Sequence, residues 1–195
     1  MKNLKMILSI FILGFVSSFA QASQLLTSGA GPIPLPGTAA ISESDLAGTV
    51  IRDELIPFRI MSPAGALLFQ GVLQDRVVKS SADGELHFYR RIRDTKAGLN
   101  GIIRSVQIKS FATSPMVYVD WRPDGLGDVA PKTAQRSALP GTVIQFNFLP
   151  AILVGGKESK FFYMKTRASN FAVTGLTRIE LTTGHAAILR TAEPR

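Results

Sequence analysis

The 195-residue chain contains no cysteine and only two histidines, His87 and His185. The first absence excludes disulfides, thiolate metal sites, iron–sulfur clusters, cysteine nucleophiles and lipoprotein acylation. The second leaves too few imidazoles for a multi-histidine metal centre. Charge is sparse at 18% of residues, with 22 Lys plus Arg against 14 Asp plus Glu and a net charge of +8. With 46% hydrophobic residues the composition excludes intrinsic disorder, and 17 Gly and 11 Pro without a three-residue period exclude collagen. A globular domain is expected.

Lys2 and Lys5 precede an apolar stretch of 15 residues, Met6 to Ala20, and Ala20-Gln21-Ala22 forms a small-x-small site before Ser23. Residues 1–22 read as a cleaved secretory signal peptide. A retained anchor fits less well, because the run is shorter than the roughly 20 residues that span a bilayer and is broken by Ser9, Gly14, Ser17 and Ser18. Cleavage after Ala22 leaves 173 residues at net charge +6, since it removes two lysines and no acid. No later apolar run reaches spanning length, so the expected product lacks an integral membrane anchor and resides in the periplasm or outside the cell. Its size suits a single domain that buries roughly 70% of its unfolded surface.

Residues 23–49 are rich in Ser, Gly, Ala and Pro around Gly31-Pro32-Ile33-Pro34-Leu35-Pro36-Gly37, and read as a leader or edge segment. Residues 50–195 read as one domain dominated by period two. In Glu85 to Arg93, Leu86, Phe88 and Ile92 alternate with His87, Tyr89, Arg91 and Arg93, Arg90 being the exception. Further strand candidates are Ala66 to Lys79 with a kink at Gly71, Gly101 to Phe111, Met116 to Trp121, Thr142 to Leu149, Lys160 to Arg167, Arg178 to Leu181 and Ala186 to Arg190. Turn sequences such as Arg122-Pro123-Asp124-Gly125 and Thr182-Thr183-Gly184 separate them. The pattern predicts an all-β fold, an antiparallel β-sandwich of about eight strands.

Three groups of residues are candidates for chemistry. Asp120, Asp124 and Asp128 place carboxylates four residues apart around two glycines, a spacing that suits Ca2+. The match to a calcium loop is partial, because Arg122 and Pro131 occupy ligand positions; the simpler reading is a Pro-Asp-Gly turn. His87, Tyr89, Arg91 and Arg93 share one side of a strand, with Arg104 and Lys109 as candidate neighbours, and together suit a carboxylate- or phosphate-bearing ligand. An ordinary charged solvent face is the simpler explanation of that pattern. Trp121 and Tyr118 fall on opposite sides of their strand, so one of them enters the core. Trp121 is the better core candidate, and facing outward it would be a carbohydrate-stacking residue. No G-x-S-x-G, H-E-x-x-H or phosphate-loop pattern is present, and no oligonucleotide-binding motif makes nucleic acid an expected partner.

Several segments together resemble a set of uncharacterised secreted bacterial proteins, some of which carry PEP-CTERM sorting tails. They are Phe69 to Val77, Gly84 to Tyr89, Asp124 to Gly127 with Ala134 to Ser137, Val143 to Phe148, Phe161-Phe162, Thr166 to Ala168 and Phe171. The resemblance implies secretion and supplies no catalytic residue. The tail is absent here, the sequence ending Thr191-Ala192-Glu193-Pro194-Arg195. The functional expectation is an exported, non-catalytic module that binds acidic polysaccharide, organises extracellular matrix or contacts an envelope protein. The alternatives are an exported hydrolase of sugars or esters, in which carboxylates converge without a sequence signature, and a strand-exchanging assembly subunit.

Overall fold

The computed structural model describes residues 22–111, 114 and 116–195, so the segment read as a signal peptide, apart from Ala22, lies outside the described residues. The alternating segments form two antiparallel sheets, numbered here in chain order. The first runs, edge to edge, β1 (Gln24–Leu25), β7 (Tyr118–Trp121), β11 (Phe162–Lys165), β5 (Leu86–Arg93), β4 (Leu67–Ser80) and β3 (Gly48–Met61). The second runs β13 (Ala186–Pro194), β12 (Phe171–Leu181), β6 (Ile102–Ile108), β9 (Ile144–Asn147), β8 (Thr133–Arg136) and β2 (Ile33–Pro34), with β10 (Leu153–Val154) also paired to β6. Among the described residues this makes thirteen strands where about eight were expected. The excess lies mainly in two-residue edge strands, too short to show periodicity, and in β3, whose 14 residues are mostly exposed on both sides and carry Pro57. The kink expected at Gly71 is absent: β3 and β4 stay in register from Arg52↔Val77 to Ile60↔Phe69.

Inward-facing residues of the two sheets meet in one apolar core. Leu73, Val77, Phe88, Ile92, Val119, Phe162 and Met164 come from the first sheet, and Val106, Ile108, Ile144, Phe146, Ile179 and Leu181 from the second. Phe146 and Phe162 touch across the layers with ring centroids 4.8 Å apart. Each such aromatic removes on the order of 150–250 Å² from water, which is why the alternation fixes which side of each strand turns inward.

Of the two readings of residues 23–49, leader or edge segment, the described structure shows edge strands at Gln24–Leu25 and Ile33–Pro34. β1 extends the first sheet beside β7 and β2 extends the second beside β8, while Leu26 and Leu35 enter the core. The chain then crosses the outer face of the first sheet, where a short 3-10 turn at Ser44–Leu46 buries Leu46 against Val78, Tyr89, Phe161 and Tyr163. Gly37 makes this path available. Its φ is +92°, and a Cβ there would lie 2.6 Å from the Trp121 ring.

Arg90, the break in the alternation, points into the core and is fully buried. Its guanidinium lies 2.5 Å from buried Asp75 of β4 and donates at 2.7 Å to the Ala192 carbonyl of β13. Asp75 accepts the Ala192 N–H at 2.8 Å and pairs with Arg52 of β3 at 3.2 Å. An ion pair of the first sheet thus satisfies both backbone groups of a residue on the edge strand of the second. Removing one partner of a buried pair costs about 3–5 kcal/mol, so Arg90→Met should lower unfolding free energy by that amount in urea titration. The double variant Asp75→Leu/Arg90→Met should recover only part of it, because Ala192 keeps an unpaired N–H and C=O at about 1–3 kcal/mol each. Wild-type stability in the double variant would refute this role.

Candidate anion-binding cleft

The strand side carrying His87, Tyr89, Arg91 and Arg93 is the outer face of the first sheet, as the alternation requires, but much of it is not a solvent face. His87, Tyr89 and Arg91 are buried. The cover is the 38–47 segment, whose position over β5 depends on contacts distant in sequence. Arg104 lies on β6 and Lys109 just beyond it, in the second sheet, so neither neighbours β5; the partners of β5 are β4 and β11.

Beside this cover the face opens into a cleft of about 530 Å³. Arg76 of β4, Arg91 and Arg93 of β5, and Arg122 after β7 line it together with Tyr89 and Phe161. The register Arg76↔Tyr89 and Gln74↔Arg91 aligns these side chains across the two strands. Each arginine has an acidic partner. Arg76 meets Asp53 at 2.6 Å, Arg91 meets Glu158, Arg93 meets Asp94 at 2.9 Å, and Arg122 grips both oxygens of Asp124 at 2.7 and 2.8 Å. The guanidinium carbons of Arg76 and Arg91 lie 4.8 and 5.6 Å from the Phe161 ring centre, within cation–π range. Side-chain exposure separates their roles. Arg76 and Arg93 are 29% and 33% accessible, whereas Arg91 is 6% accessible and is committed to Glu158. Arg76, Arg122 and Phe161 escaped the sequence reading because their convergence depends on strand register and on a loop following β7.

The three candidate calcium ligands are not brought together, and among the described residues no group of three acidic or histidine side chains could hold a metal ion. Asp120 is buried and accepts from the Gly37 N–H, the Thr38 hydroxyl and the Trp121 N–H at 2.7–2.9 Å. Burial raises its pKa in spite of these bonds. Asp124 accepts from Arg122 and from the Ala40 N–H, and Arg122 holds its carboxyl below the usual range. Asp128 instead accepts the Glu158 N–H at 3.0 Å. Two of the three carboxylates therefore fasten the 37–40 segment to the sheet, and their spacing of four places them on different tasks. Trp121 packs against the core and donates from Nε1 to the Leu35 carbonyl at 3.1 Å, with Gly37 against its ring. It is not a lining residue of the cleft. His185 sits in the β12–β13 turn beside Thr183 at 2.9 Å.

His87 is fully buried, and neither ring nitrogen has a hydrogen-bond partner. Burial pushes its pKa down from 6.5 to about 4, against the opposing pull of Asp45 and Asp83. A histidine neutral in the fold and ordinary when unfolded contributes stability present above about pH 6.5 and lost as pH falls toward 4. Glu43, Asp53, Asp83 and Asp124, all held below the usual carboxylate range, add acid sensitivity only at lower pH. His87→Leu should remove about 3 kcal/mol of the acid-induced loss between those limits, measured by urea unfolding at a series of pH values. Parallel profiles for variant and wild type would contradict this assignment.

No protein-family model, curated protein or solved structure matches this chain. Among the described residues, no helix is long and apolar enough to cross a membrane.

Proposed function

We propose that this chain is an exported, non-catalytic β-sandwich module that binds an acidic polysaccharide in the arginine cleft, in the periplasm or outside the cell. The observation that carries the reading is the convergence of Arg76, Arg93 and Arg122 on one cleft of about 530 Å³, backed by the buried rings of Tyr89 and Phe161. Guanidinium groups present paired donors that match a carboxylate or sulfate. A uronate carboxylate would exchange places with Asp53 or Asp94, whose pairs with Arg76 and Arg93 are partly exposed and therefore weak. The net charge of +6 left once residues 1–22 and their two lysines are removed favours approach of a polyanion.

The informative substitutions are Arg76→Gln and Arg93→Gln, because Arg91 is buried and its loss would report on folding. The double variant should keep the wild-type unfolding midpoint and lose at least tenfold in affinity for oligogalacturonate, measured by calorimetry at low salt. Binding to wild type should weaken as salt rises. Unchanged affinity in the double variant would refute the reading.

The assembly-subunit reading draws support from β3, an edge strand exposing Val50, Ile51, Leu55 and Met61. Pro57 and a register shift at Ile51 interrupt that edge, features that oppose strand addition. Sedimentation equilibrium decides between them: a monomer is expected, and a dimer dispersed by Leu55→Lys would favour assembly instead.

A further inference from the structure

The bond after Ala22 joins an exposed residue to a buried one. Ser23 is only 9% accessible, and a single acid, Glu43, holds it twice. The Ser23 nitrogen donates to Glu43 Oε2 at 2.9 Å, and the Ser23 hydroxyl contacts the same oxygen at 2.5 Å and the Tyr163 hydroxyl at 2.7 Å. The other Glu43 oxygen accepts from Lys165, which also reaches Asp45 at 2.8 Å. Glu43 and Asp45 thus share the single ammonium of Lys165. Burial alone would raise the Glu43 carboxyl, yet Lys165 and Ser23 together lower it.

We propose that cleavage between Ala22 and Ser23 creates an α-ammonium group that pairs with Glu43, so that processing itself supplies one member of the ion-pair cluster fastening the N-terminal segment to the first sheet. This rests on reading residues 1–22 as a cleaved export signal. An export peptidase breaks the Ala22–Ser23 amide with one water molecule: hydroxide goes to the Ala22 carbonyl carbon, a proton goes to the Ser23 nitrogen, and the amine takes a further proton from solvent while Ala22 departs as a carboxylate. The nitrogen need not move. Ala22 is exposed, so the newly added protons face water while the existing N–H keeps its bond to Glu43. The new charge gives Glu43 and Asp45 two cations in place of one. The position is exacting, because cutting one residue earlier or later shifts the amine by about 3.8 Å along the chain, out of hydrogen-bond reach.

The test begins with full-length chain expressed in an exporting bacterial host and intact mass measured on the recovered protein. The expected N-terminus is Ser23. Uncut protein would overturn the export reading and the inference with it, whereas export with cleavage at another bond would overturn the inference alone. Processed protein is then acetylated selectively at the α-amine, which removes the charge but keeps an N–H at the same place. The unfolding midpoint should fall by a few degrees. In processed Glu43→Gln the same acetylation should have no effect. An unchanged midpoint in wild type, or an equal fall in both proteins, would overturn the proposal. Should Glu43→Gln fail to fold, NMR titration of the wild-type α-amine decides: a pKa above the ordinary range of about 7.7–8.0 is expected, and a value within or below it contradicts the pairing.

Discussion

The two sheets meet at their open side through Asp75 and Arg90, and much of the molecule depends on that pair. An edge strand exposes backbone donors and acceptors that need partners, and burying them without one is costly. Asp75 and Arg90 give Ala192 an acceptor and a donor together, so at this residue the edge of β13 is closed by side chains of the opposite sheet where another strand would ordinarily lie. Because both charges sit in β4 and β5, the same contact fixes the strands whose outer sides form the cleft floor. Arg52 brings β3 into the arrangement, and with it the wall formed by Gly48 and Val50.

The cleft follows from a third layer of chain over the first sheet. Asp120, Asp124 and Lys165 hold the 37–45 segment through its backbone and acids, and Leu46 supplies the apolar contact. This cover buries His87 and Tyr89 while leaving Arg76 and Arg93 accessible, which divides one strand face into a structural half and a binding half. Arg76 lies within cation–π range of Phe161, and the acids paired with these two arginines are ones that a polyanion can displace.

The all-β class and the inward set on β5 were legible because burial on one side imposes period two. Even the exception, Arg90, was visible as a break in pattern, though its meaning depended on Asp75 and on a backbone group 102 residues away. Trp121 entered the core side and Tyr118 the other, as alternation demands. The burial of His87, Tyr89 and Arg91 was not legible, since the covering segment is short, dominated by Ala, Ser and acids, and shows no periodicity that would place it over β5. β3 was missed for a related reason: a strand exposed on both sides has no buried face to impose alternation. The simpler reading of the acidic loop, a turn with an acid paired to Arg122, is the one the structure shows at Asp124; spacing along a chain does not make carboxylates converge, and backbone N–H groups and Arg122 hold these.

The most direct test of the account is a backbone amide NMR map during titration with a defined oligogalacturonate. The account predicts salt-sensitive shifts concentrated at residues 46–50, 74–78, 89–93 and 122–126, which line one cleft. Shifts confined to the second sheet, or none at saturating ligand, would contradict it.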